Sequence, residues 1–362
     1  MKTTRRRRLH DSIAMLAMAG CVQFASASII EVPGDASTIQ AAVDAAQTGD
    51  EIHVAAGIWR ETINLRGKAI VLLGAAGPQS TTLDGRGLEG SVLRCIEGEA
   101  AETRIEGFTI TGGSGDVGAH GPEATVGGGL LVRSSSPTIV NCVFRENRAS
   151  LHGGAVYCGD GAAATFSDCM FESNVAEKGG AVFNIRSSPS FDSCVFTGNL
   201  AGYGGGAIYN DRKCAADFTD CRFQANEAIY NGGAVYDYES RGTLTSCSFV
   251  RNAAAFKGGA IYIAYRSNPI MHDCVFVTQA DDVAGRRGVQ MASKDQTGAC
   301  CVGGGCIIAS KSACEDAGGE FSGRGTRCSI EEQTCSRRMK GDLNHDGTVD
   351  RTDMAVLMLI WR

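Results

Sequence analysis

Little in this sequence would build an ordinary globule. Of 362 residues only 7% are aromatic, with two Trp and six Pro, and one compact core of that size draws on more large apolar side chains. His numbers six, and none pairs with Cys or His at metal-ligand spacing, which leaves no zinc signature. No apolar run reaches the ~20 residues of a membrane-spanning helix: the two longest are about Ile13 to Phe24 and Met354 to Trp361. Basic charge is not in excess either. The formal net charge is -6, which argues against nucleic acid or an anionic membrane as partner. Residues 128–277 show no helical periodicity.

What is present is glycine, 48 residues of it, much of it in a repeat. Gly-Gly pairs begin at Gly128, Gly153, Gly179, Gly205, Gly232 and Gly258, and a C-x-F frame begins at Cys142, Cys169, Cys194, Cys221, Cys247 and Cys274. Both markers keep a period of about 26 residues. C-x-F alternates with period two and GGA[IV] is short and β-prone. Short strands, glycine-rich turns and one fixed period predict an all-β solenoid.

The first 27 residues read as a secretory signal: a basic start at Arg5–Arg8, an apolar centre, and Ala25-Ser26-Ala27 before the cut. Its loss takes the net charge to about -10. Two variants are a twin-arginine signal at Arg7-Arg8 and a lipoprotein box ending at Cys21. Secretion or the cell surface is the expected location, with lipid anchoring through Cys21 the minor alternative. Sixteen Cys suit an exported chain.

Each repeat is expected to hold three short strands. Ser135-Pro137-Ile139 is one, and Asn141 makes a bend. Cys142-Val143-Phe144 turns Cys and Phe inward, Asn147 and Ala149 open a longer turn, and Gly153 to Tyr157 is the third strand. With coils ~4.8 Å apart, Phe144, Phe171, Phe196, Phe223, Phe249 and Phe276 form a core ladder. Asn147, Asn174, Asn199, Asn226 and Asn252 form a second that tolerates left-handed geometry. The ladder cysteines read as free buried thiols, because parallel stacking points their Cβ atoms the same way. F-x-x-N followed by GGA[ILV] resembles the repeats of chlamydial polymorphic membrane proteins. At fold level it resembles the pectate-lyase-like right-handed parallel β-helices. The outer-membrane barrel of the first group has no counterpart here.

Ser37-Thr38-Ile39-Gln40 matches a capping box, predicting a cap helix over 37–47. The β-helix then runs over 28–297, with regular coils at 128–277 and an inserted loop at 112–127. TIQAAVDAA…GDEIHV…GIWRETI resembles the N-terminal cap and first coil of pectin-acting β-helix proteins.

Three surfaces are candidate sites. The bend residues Asn141, Asp168, Ser193, Asp220, Ser246 and Asp273 place an Asp at every second coil, ~9–10 Å apart, near the carboxyl separation of inverting hydrolases. The stronger reading of such Asn, Asp and Ser bends is turn chemistry. Tyr157, Tyr209, Tyr236 and Tyr262, with Phe183, form an outward aromatic row suited to sugar rings or to self-stacking. The following turn carries Asp160, Asn184, Arg186, Asp211, Arg212, Asp237, Glu239, Arg241 and Arg266. No catalytic residue is assigned.

The tail holds two motifs. Residues 298–336 read as a small stapled module with Cys300, Cys301, Cys306, Cys314, Cys328 and Cys335 in any of 15 pairings. Residues 341–362 contain D-x-[DN]-x-[DN]-G, a calcium loop with Asp342, Asn344, Asp346, Thr348, Asp350 and Asp353 as ligands. Asp at the last position resembles a type I dockerin segment, which implies calcium as cofactor and a cohesin-like or self partner. Dockerins carry two such segments and this chain carries one. The expected function is a non-catalytic, exported β-helix binding a polysaccharide or cell-surface glycan. The alternatives are a polysaccharide lyase or glycoside hydrolase, and a structural or adhesin-like surface protein.

Overall fold

Alternation of small and large residues at period two gives strands of two to five residues, too short to stand alone and stable only as rungs of a stack. In the computed structural model they form long parallel sheets wound around one core. The structure describes residues 27–277 except 119, 120, 122 and 123, together with the strands Val283–Gly285, Gln290–Met291, Gly298–Val302, Gly305–Ala309 and Glu320–Phe321 and the single residue Cys314. Sheet one has eleven strands, from Ile29–Val32 to Gln290–Met291. Sheet two has twelve and sheet three nine. All but the last members of sheet two pair in parallel.

One coil shows the logic. Thr165–Ser167 lies in sheet one and Met170–Glu172 in sheet two. Val175–Lys178 and Val182–Ile185 follow. Val175–Lys178 belongs to a fourth, four-stranded sheet, where the sequence predicted only a turn. Each corner is one left-handed residue: Asp168 (φ 54°), Ser173 (54°), Gly179 (65°) and Arg186 (47°). The left-handed residue at the second corner therefore precedes the Asn, correcting the expectation that Asn takes that geometry. The first strand also starts later than expected, at Thr138–Val140 rather than Ser135.

The Phe ladder is as expected: Phe144, Phe171, Phe196, Phe223, Phe249 and Phe276 are in register and buried, with rings stacked at 4.6–5.1 Å. A second ladder went unread. Phe166, Phe191 and Phe218 stack at 4.8 and 5.0 Å in sheet one and meet the first ladder edge-on at 5.7–6.4 Å. Its signal was an apolar residue three before each Cys. The ladder cysteines are free and buried. The Cys169 thiol donates to the carbonyl of Ser167 (3.3 Å) and to that of Ile139 one coil back (3.6 Å). Burial pushes the Cys142 thiol well above its ordinary range and that of Cys158 up to about 12.

The Asn ladder holds the second corner shut. Asn199 Nδ2 donates to Phe171 O and to Asn226 Oδ1, both at 2.9 Å. At the third corner the first glycine takes positive φ, while a Cβ on the second would collide with backbone of the next coil. In the earliest regular coil this frame starts at Gly127 (φ 62°), one residue before the sequence reading.

The helix Ile39–Ala45 lies against the strands Ile29–Val32, Glu51–Val54 and Ile63–Asn64, with Ile39, Ala42 and Val43 buried. Thr38, not Ser37, is its N-cap, bonding Ala41 N at 3.1 Å. Gln40 does not close a capping box. Its amide reaches Asn64 O, while the Glu61 carboxylate accepts from Ile39 N and Gln40 N at 3.0 Å. Lys68 Nζ collects the carbonyls of Val43, Asp44 and Ala46 at the other end. Within 112–127, where a loop was expected, Asp116–Val117 pairs antiparallel with Thr125–Val126 as a short hairpin. Both nitrogen contacts from Arg94 to Asp116 measure 2.6 Å and fasten it to the third sheet.

Candidate functional site

The acidic bend row is turn chemistry. Asn141, Asp168, Ser193, Asp220, Ser246 and Asp273 all have φ near +50° and are exposed. Asx and Ser side chains tolerate that geometry best.

The aromatic row is self-stacked, the second of its two expected uses. Tyr157, Phe183, Tyr209, Tyr236 and Tyr262 do lie on the outer face of sheet three, but they form a second apolar cluster, with Tyr209 4% and Tyr236 6% exposed. Tyr209 is stacked between Phe183 (5.4 Å, 19°) and Tyr236 (4.5 Å, 7°), and Tyr262 leans on the far side of Tyr236 at 5.1 Å, so the faces of both rings are already taken. A sugar ring needs such a face. Burial raises the Tyr209 and Tyr236 hydroxyl pKa values above their ordinary range. The Lys178 ammonium covers Tyr203 and Tyr209 at 5.4 and 5.5 Å.

The charged turn is split. Arg186 bonds Asp160 at 2.6 Å on the surface. Asn184 and Asp237 are not in the turn at all: they face the core as a buried polar ladder. Asn184 Nδ2 donates to Asn210 Oδ1 (2.9 Å) and Asn210 Nδ2 to Asp237 Oδ1 (2.8 Å). Asp237 Oδ2 has no partner, and burial raises the carboxyl above its ordinary range.

The feature that sequence reasoning missed is a groove of 750 Å³ along the fourth sheet. It crosses successive coils, from Arg86 and Ser114 past Glu146, Arg148 and Glu177 to Leu200 and Ile229. Its charged residues come from positions that differ from repeat to repeat, so the period that exposes the fold hides them. The hairpin walls one end, where Thr125 N donates to Ser150 Oγ at 2.8 Å. Arg86 is committed to the buried Asp84 carboxylate at 2.9 and 3.0 Å, and that pairing holds Asp84 below the ordinary carboxylate range. Glu146, Arg148 and Glu177 are held in no ion pair with another described residue. They are free to bind hydroxyls or charges on a ligand.

The expected calcium ligands Asp342, Asn344, Asp346, Thr348, Asp350 and Asp353 lie outside the described residues. So do Cys328 and Cys335. Cys300, Cys301 and Cys306 are placed by backbone alone, on an antiparallel hairpin joined to Val275–Val277 through Phe276 and Ile308. Cys314 is buried and disulfide-bonded.

A model of the right-handed β-helix region matches residues 154–335, and one of the chlamydial polymorphic membrane protein repeat matches residues 141–159. No curated protein matches the sequence. Among solved structures, pectin methylesterase from carrot is 11% identical with a TM-score of 0.48, over 73% of this chain and 89% of that one. Pectin methylesterase PemA from Erwinia chrysanthemi is 10% identical with a TM-score of 0.34, over 90% and 99%. At that level of likeness neither substrate nor chemistry transfers.

Proposed function

The chain belongs to the right-handed β-helix family, and from that premise we propose that it is an exported surface protein that binds polysaccharide, without turning it over, in the groove along its fourth sheet. The observation that carries this reading is a groove crossing several coils with Arg148, Glu146 and Glu177 unpaired on its wall and apolar side chains on its floor. Few convergent polar groups over an apolar bed suit a ligand of many hydroxyls. The signal at residues 1–27 and the repeat shared with chlamydial surface proteins favour an outside location. The tail would bind one calcium ion through Asp342, Asn344, Asp346, Thr348, Asp350 and Asp353. It would hold the protein to a cohesin-like partner or a second copy of itself.

The test is retention of residues 28–362 on immobilised polyuronates, pectins and neutral glycans, beside Arg148→Ala and Glu177→Ala. Binding to one glycan that drops at least about tenfold in either variant supports the groove. Binding unchanged in both overturns it. The pair Glu146 and Glu177 on one groove also favours a hydrolase as second reading. New reducing ends, lost in Glu146→Gln or Glu177→Gln, would replace binding with catalysis. Calcium titration of the mature chain against Asp346→Ala tests the tail, since equal uptake by both overturns the loop.

A further inference from the structure

The ladder cysteines are a feature that the groove leaves unused. Cys142, Cys169, Cys194, Cys221, Cys247 and Cys274 are free and at most 4% exposed. A single inward Cys is a small hydrophobe, but here one stands on each of six successive coils in the same pose. Each thiol donates to the carbonyl two residues back at 3.3–3.4 Å. Each also reaches a carbonyl one coil back at 3.4–3.8 Å. Repetition of both contacts holds all six sulfurs in one orientation, so they recur at the coil spacing. The rings of the Phe residues two positions along measure that spacing as 4.6–5.1 Å. Neighbouring thiols interact across all five gaps.

The spacing decides what can join them. A disulfide needs sulfurs ~2.05 Å apart, less than half the gap, and the in-register backbone keeps them from closing it. No three of the His, Cys, Asp and Glu side chains among the described residues converge on one point, so the ladder does not form a tetrahedral zinc site. A soft d10 cation such as copper(I) or silver(I) binds two thiolates in a line. With bonds near the ~2.3 Å of zinc–thiolate pairs it spans about 4.6 Å, the lower end of the ladder's interval. Thiolate is also the ligand class that selects such ions. Charge balances as well. Each entering ion replaces one thiol proton, so five ions and one remaining proton leave the six sulfurs neutral. A neutral chain escapes the penalty on buried charge.

We propose that the thiol ladder is a binding site for soft monovalent cations of the copper(I) class, one bridging each pair of consecutive coils from Cys142 to Cys274. Burial closes the ladder once the coils have stacked, so loading accompanies folding. Each ion then ties one coil to the next, adding metal–sulfur bonds to a stack otherwise joined by backbone hydrogen bonds and rings. The proposal is independent of the groove and its ligand.

Silver(I) is the probe, because it needs no reductant to stay monovalent. Residues 28–362 are unfolded in guanidinium, refolded with silver(I) or without it, and dialysed against a small competing thiol. Bound silver is then counted per chain. Removing a rung removes the bridge on each side of it. Cys221→Ala should therefore hold two fewer ions than wild type, and Cys142→Ala and Cys274→Ala one fewer each. Silver-loaded wild type should unfold at higher urea than the silver-free protein. Urea midpoints of the silver-free variants check their folding, and Cys247→Ala carries the same two-ion expectation where Cys221→Ala does not fold. One ion lost in every variant means separate thiols rather than bridges and overturns the proposal. So do equal silver in every chain, no silver retained, and failure to refold only when silver is present.

Discussion

Asn174 and Asn199 stand on successive coils and share one oxygen: Asn199 Oδ1 accepts from Asn174 N at 3.0 Å and from Asn174 Nδ2 at 2.9 Å. The pattern recurs at Asn147 and Asn226, so each amide closes its own corner and the one before it. Asn199→Ala strands two donors on Asn174 and leaves Phe171 O without its amide, all inside the core. A loss of about 3 kcal/mol is expected from the urea midpoint. Asn199→Asp restores the acceptor but not the donor and should rescue little. Wild-type stability in either would remove the ladder's structural role.

Asp237 ends the buried ladder as a carboxyl where Asn184 and Asn210 are amides. Its pKa is raised in the fold from the ordinary 3.8, burial being the cause, opposed by hydrogen bonds from Asn210 and Ser240. A raised acid is favoured protonated. Its contribution is complete below the unfolded value and is lost as pH rises through the folded one. Asp237→Asn should therefore gain on wild type as pH climbs from about 4 to about 8, by about 1.4 kcal/mol for each unit of upward shift. Parallel stability curves across that range would show that the carboxyl is not strained by burial.

Two glycines separate backbone from side-chain constraint. A Cβ on Gly206 would meet the Gly233 carbonyl and the backbone of Glu227, neither of which can yield. On Gly202 it would meet only the flexible end of Glu177. Gly206→Ala should cost about 3 kcal/mol or fail to fold, while Gly202→Ala should stay within about 0.5 kcal/mol. Equal unfolding midpoints would refute the tight coil contact.

Nine described cysteines are free and buried. A thiol reagent added to the native mature protein without reductant should leave them unreacted, and the same reagent in guanidinium should release at least these nine. A native-state reaction would place the ladder nearer solvent than the fold does. No new thiol on unfolding would mean that stacked neighbours had bridged.

The solenoid was legible because its signals are periodic. A ladder position must repeat every coil, so Phe144 predicts Phe171 and Asn147 predicts Asn174, and two markers in step exclude coincidence. Small errors came where local chemistry has near-equivalents. Ser37 and Thr38 cap a helix equally well, and Gly127, Gly128 and Gly129 are indistinguishable until the coils are aligned. The second Phe ladder was less visible because Leu244 and Met271 replace Phe in its later rungs.

The amino-acid sequence by itself determined the repeat, the inward Phe, Cys and Asn, and the glycine corners, because each follows from what one coil must do to stack on an identical one. Tertiary structure decided which outward residues see solvent. Tyr209 and Tyr236 alternate outward as the pattern requires, yet Tyr203 and Lys178, from strands and turns of the neighbouring sheet, cover them. Asn184 and Asp237 look like turn residues and are core residues, because the third sheet's strand extends one rung further inward than its hydrophobic run. The groove of Arg148, Glu177 and Ile229 joins residues that no period relates. Only the stacking of unlike turns onto a regular frame brings them to one surface.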